Sequence, residues 1–134
     1  MVKMKIDYQG QKHCELTHLP SGSKIETDAP KDNGGKGERF SPTDLLGASL
    51  ASCILTTMHI VCEREGWSFE GGSAEVGKVM TDQPRRVDSL SVTINLPKSL
   101  TTEQRKKLEH VAEHCPVHRS LHPDVKMPMT FNYV

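Results

Sequence analysis

Between Pro42 and Glu65 the chain runs 24 residues, PTDLLGASLASCILTTMHIVCERE, interrupted by no helix breaker except Gly47. Ser41 stands where an N-cap belongs, Pro42 takes the first helical position, and Asp44 follows three residues after the cap. Gly66 supplies the stop. From Leu45 to Cys62 there is no Asp, Glu, Lys or Arg. Such a helix is about 36 Å long at 1.5 Å per residue. It is apolar or small on nearly every face, which predicts burial all round. That asks for more cover than one chain of 134 residues readily supplies.

Composition sharpens the point. Only 35% of the residues are hydrophobic, below the usual share for a globular domain, so a second copy completing the burial is expected. Seventeen basic residues balance seventeen acidic ones. A neutral chain lacks the basic excess that nucleic-acid or membrane-surface binding relies on, so neither partner is expected. MVKMKIDYQG at the start alternates apolar and polar residues rather than forming a signal-peptide core, and no stretch reads as a membrane span. A cytoplasmic location follows. There, Cys14, Cys53, Cys62 and Cys115 are not expected to form a permanent disulfide framework, and their spacing fits neither CxxC redox nor zinc-ribbon patterns.

The rest of the chain reads as one α+β domain, 1–134. Residues 2–8, 12–19 and 24–28 alternate with strand period and form an antiparallel meander with turns at QGQ and PSGS. The glycine-rich stretch 30–41, PKDNGGKGERFS, is a loop long enough to suggest function. After the long helix, 67–81 and 87–96 read as a hairpin turning at DQPRR. Thr101 and Gln104 form a capping box opening a charged helix over 102–114, which Pro116 ends. VHRSL continues as one short turn, and 126–133 closes with an edge strand. The order is βββ-α-ββ-α-β.

Chemistry concentrates at AEHCPVHRSLHP, residues 112–123. Cys115 at the start of a helical turn faces unpaired backbone N–H groups, and His114, His118 and Arg119 add positive charge; both effects lower a thiol pKa. A metal centre is the rival for this cluster. His110 and His114 stand at i, i+4 and, with Cys115 and His118, make a zinc-like donor set, although adjacent His114 and Cys115 are awkward ligands for one ion. Cys14, Cys53 and Cys62, taken singly, read as small buried hydrophobes.

SPTDLL opening a long apolar helix, Cys53 nine positions after Asp44, and CPVHRSL beginning at Cys115 together resemble the OsmC/Ohr family, the osmotically inducible and organic-hydroperoxide-resistance proteins. The resemblance spans essentially the whole chain and is nearer to the OsmC-like branch. It implies an OsmC-like fold in an intertwined homodimer sharing two central helices. It implies thiol-dependent reduction of organic hydroperoxides without a cofactor or metal. Cys53 would be the peroxidatic thiolate and Cys115 the resolving thiol. A dithiol reductant, typically a lipoyl protein, would regenerate them. Arg39 would stabilise thiolate and peroxide, with His118 a candidate for electrostatic support and Asp44 a further candidate. One departure is visible: better-known members carry a glutamate, paired with the arginine, where this chain has Thr43. If Asp44 caps the helix, Arg39 is either held otherwise, for instance by Glu38 of a second copy, or not held at all. The alternatives are a dimeric thiol sensor or apolar-ligand binder without turnover, and the zinc protein.

Overall fold

The computed structural model describes all 134 residues. They form two compact units, Met1–Leu46 and Gly47–Val134.

In the first unit, β1 (Met4–Tyr8), β2 (His13–His18) and β3 (Lys24–Asp28) make the expected antiparallel meander in the order β1-β2-β3. Its register follows from the alternation. Ile6, Leu16 and Ile25 form one cross-strand row, while Asp7, Glu15 and Glu26 form the next, on the opposite face. One face of the meander is therefore apolar and the other charged. A single turn of 3-10 helix, Lys31–Asn33, interrupts the loop that follows. Gly35 permits this loop to fold: a Cβ there would lie 1.9 Å from the Ala29 carbonyl oxygen.

Helix α1 is Pro42–Glu65, with the boundaries read from the sequence. The backbone N–H of Asp44 donates to Ser41 Oγ at 3.0 Å, and that of Ser41 donates to Asp44 Oδ2 at 2.9 Å, a complete capping box. Burial is one-sided, not all round: Gly47, Leu50, Ala51, Ile54, Met58, Val61 and Cys62 are buried, at helical spacing. Ile60 remains half exposed. By length and composition alone α1 also passes as a membrane span, with an 18-residue window of mean hydropathy 1.8. The expectation that nothing in the chain comes near that threshold is corrected; a core helix meets the same criterion.

The second unit carries the other sheet, order β4-β5-β6. Strands β4 (Ser73–Thr81) and β5 (Arg86–Leu96) are the hairpin, while β6 (Met129–Tyr133) pairs parallel to β5. Residues 67–72, expected in the first of these strands, instead form a turn. The backbone N–H of Gly72 donates to the Phe69 carbonyl and the Phe69 ring lies over Gly72, so the alternation of Trp67 to Phe69 imitated a strand. The last strand likewise starts after Pro128 rather than at 126. The helix after β5, α2 (Thr102–Ala112), has the predicted capping box and ends two residues early. The short turn is α3 (Pro116–Ser120). Leu90, Val92, Ile94 and Leu96 of β5 form the centre of this unit's core. Gly47 lets α1 approach them: a Cβ there would meet Leu90 Cδ2 at 3.3 Å and Val76 at 3.5 Å.

Candidate active site

Cys53 sits in the middle of α1, half-buried. Thr57, one turn on, donates its hydroxyl to the Cys53 carbonyl at 2.7 Å, which holds its Oγ1 3.9 Å from the sulfur. Cys115 is fully buried. It lies at the N-cap of α3, its backbone extended at φ −67° and ψ 154° because Pro116 follows. The backbone N–H of His118 donates to Cys115 Sγ at 3.4 Å.

The structure brings these two cysteines together across 62 positions of sequence: their side chains interact directly. Burial pushes the Cys115 thiol up, and the neighbouring Cys53 adds to this, while the amides of His118 and Val117 pull the other way and are outweighed. The expected lowering of Cys115 is thus reversed. A five-residue helix offers too few amides to offset removal from water. His118 contacts the sulfur through its backbone N–H.

The other cysteines stay apart from this pair. Cys62 is fully buried, and its thiol is pushed up by that burial. Cys14 lies on β2, half-buried between Tyr8 and Thr27 of the neighbouring strands. The zinc-like set does not assemble. Nδ1 of His114 donates to the His110 carbonyl at 2.7 Å and the two rings stack at 4.2 Å, while no three His, Cys, Asp or Glu side chains converge on a metal position.

In the first unit, Arg39 is anchored by a carboxylate that the sequence reading missed. Its Nε donates to Glu26 Oε2 at 3.2 Å, and a terminal nitrogen donates to the Glu38 carbonyl at 3.2 Å. Within this chain, Glu38 contributes its backbone carbonyl to that anchor. Asp44 is engaged in the helix cap. His13 joins the cluster, with Nδ1 2.6 Å from Asp28 Oδ1 and Nε2 3.2 Å from Glu26 Oε1. Asp28 also accepts the Glu38 backbone N–H at 3.1 Å. The signal was present in the strand period, which puts His13, Glu15, Glu26 and Asp28 on one face once HCEL is paired with IETD.

Asp28, and then Glu26, raise the pKa of His13 above 6.5. Arg39 and His13 lower Glu26 from 4.5, and His13 lowers Asp28 from 3.8. The raised histidine stabilises the fold in full below pH 6.5, and this stability is lost as pH rises through its folded value. The depressed carboxylates stabilise above 4.5 and 3.8, and this is lost as pH falls through their folded values. Stability is accordingly expected to peak on the mildly acidic side of neutrality. His13→Gln should flatten the decline above that peak, as read by urea midpoints across pH; an unchanged profile would show that His13 carries none of it.

The OsmC-like protein family matches residues 35–129, and the chain belongs to that family. The chain is 43% identical to a candidate osmotic-stress-induced and detoxification-response protein from Psychrobacter arcticus 273-4, covering 98% of this chain and 96% of that one, with a TM-score of 0.93. More distant structures share the fold. An OsmC-like protein from Mycoplasma pneumoniae is 15% identical over 100% of this chain and 97% of that one, at a TM-score of 0.83. The organic hydroperoxide resistance protein OsmC from Legionella pneumophila is 19% identical over 98% and 96%, at a TM-score of 0.76. No curated protein matches the sequence.

Proposed function

We propose that the chain is a cytoplasmic, homodimeric, thiol-dependent peroxidase that acts as a single domain and reduces organic hydroperoxides with no cofactor. The observation that carries this reading is the direct interaction of Cys53 with Cys115. The Cys53 thiolate attacks the terminal peroxide oxygen; the O–O bond breaks, the alcohol leaves with a proton, and Cys53 becomes a sulfenic acid. The Cys115 sulfur then attacks the sulfenic sulfur, the hydroxyl leaves as water, and a disulfide forms. A dithiol such as a lipoyl protein reduces it by exchange. Arg39 is assigned the stabilisation of thiolate and peroxide. His118 supports the resolving step through its amide on Cys115. A pushed-up Cys115 suits this division of labour, since the resolving sulfur rests as a thiol and leaves the peroxide to Cys53.

The test is to treat reduced protein with cumene hydroperoxide and map disulfides by mass spectrometry. A Cys53–Cys115 linkage is expected; persistent free thiols would remove the reading. Stoichiometric oxidation without turnover in the presence of dithiol would favour the sensor alternative.

The dimer is supported by the apolar face of the meander. Met4, Ile6, Tyr8 and Ile25 are all more than half exposed, and Met4, Ile6, Leu16 and Ile25 line a concavity of about 420 Å³. A second copy of the chain is the assigned cover. Ile6→Glu would place an unpaired charge within that contact at a cost of about 3 kcal/mol, weakening association roughly a hundredfold. Sedimentation velocity should report monomer for the variant and dimer for the wild type.

A further inference from the structure

Arg39 occupies a loop with no regular structure, yet its guanidinium is held at two points, by the Glu26 carboxylate and the Glu38 carbonyl. Glu26 is in turn divided: Oε2 accepts from Arg39, and Oε1 faces His13 Nε2. His13 is itself fixed at its other nitrogen by Asp28, whose carboxyl is buried and also accepts the Glu38 amide. The loop residue before Arg39 and the strand residues behind it are thus tied into one chain of contacts.

We propose that Glu26 and His13 are positioning residues for Arg39, with the Glu26 carboxylate aiming the guanidinium and the protonated His13 ring locking that carboxylate. This rests on the reading above that Arg39 serves the Cys53 thiolate. A neutral imidazole has one N–H and can donate to only one carboxylate. Holding Asp28 and Glu26 together therefore requires the imidazolium. When the ring loses a proton, the 2.6 Å contact to buried Asp28 keeps the remaining N–H, and the more exposed Glu26 is released. Arg39 then loses its fixed partner, so the site carries its own pH dependence.

Other charged groups border the cluster. From β1, Asp7 is paired with Lys5; from β2, Glu15 is paired with Lys24 of β3. Lys36 and Glu38 line the same cleft of about 240 Å³ with His13, Asp28 and Arg39, and Lys12 reaches the Asn33 carbonyl beside it. The contacts of His13 with Asp28, and then with Glu26, favour its protonation, and burial opposes it.

The experiment measures the second-order rate of Cys53 oxidation by cumene hydroperoxide in reduced wild type, Arg39→Ala, Glu26→Gln, His13→Gln and the Arg39→Ala/Glu26→Gln double variant, across the titration range of His13. Glu26→Gln and Arg39→Ala are expected to slow oxidation by the same factor, about ten- to a hundredfold, and the double variant no further. His13→Gln should abolish the decline in rate above the histidine midpoint while leaving the rise from thiol ionisation. Glu26→Asp, which keeps the charge, should recover part of the rate. In NMR titrations, Glu26→Gln should lower the His13 midpoint, a readout independent of activity. Arg39→Ala slowed but Glu26→Gln at the wild-type rate overturns this proposal alone, as does an equal slowing by Glu26→Gln with Arg39 present or absent. Arg39→Ala at the wild-type rate overturns the thiolate role of Arg39 and this proposal with it.

Discussion

Cys53→Ser is expected to reduce hydroperoxide consumption to the uncatalysed background. A serine hydroxyl in the same place is far less acidic than a thiol and gives almost no anion near neutrality, so the nucleophile is lost although the shape is kept. The Thr57 hydroxyl donates to the Cys53 carbonyl, a contact the substitution leaves intact, so the helix should persist. Cys115→Ser is expected to behave differently. Cys53 would still be oxidised once, one alcohol would be released, and the sulfenic acid would survive to be trapped by dimedone. Peroxide loss followed colorimetrically, with mass spectrometry of the labelled cysteines, separates the two variants. Equal residual turnover in both would contradict the assigned roles.

The fold was legible wherever a local pattern had one physical meaning. Ser41, Pro42, Asp44 and Gly66 bracket α1 because capping chemistry is local, and Thr101 with Gln104 opens α2 for the same reason. Trp67–Gly72 misled because an alternation of three residues is too short to tell a strand from a turn in which Phe69 folds over Gly72. That β6 runs parallel to β5 depends on where α2 and α3 carry the chain, and no local signal encodes it. The site divides along the same line. Cys53 and Cys115 could be named, but the family resemblance rather than spacing linked them, and the direction of the Cys115 shift depended on burial that only the tertiary structure supplies. The anchor of Arg39 was missed although its residues were visible. Glu26 and His13 share a face only once the register of β2 against β3 is fixed.

Leu90→Ala is expected to be the most destabilising simple truncation in the second unit, by about 3 to 4 kcal/mol. Leu90 is fully buried on β5, the middle strand of its sheet, with antiparallel β4 on one side and parallel β6 on the other. Its Cδ2 lies where α1 comes closest, opposite Gly47. Gly47 has no side chain that can move into the space left behind, so the cavity should stay open and the loss should fall in the upper part of the leucine-to-alanine range. The backbone N–H of Leu90 donates to the Lys126 carbonyl at 2.8 Å, a bond alanine retains, so the cost is one of packing rather than strand pairing. Urea unfolding should show a lower midpoint with an unchanged slope, and heating a fall of roughly 10 °C. A loss below about 1 kcal/mol would mean that α1 collapses onto the sheet. In that case Cys53, carried on the same helix, should shift with it, and the rate of disulfide formation with Cys115 should change even where the variant remains folded.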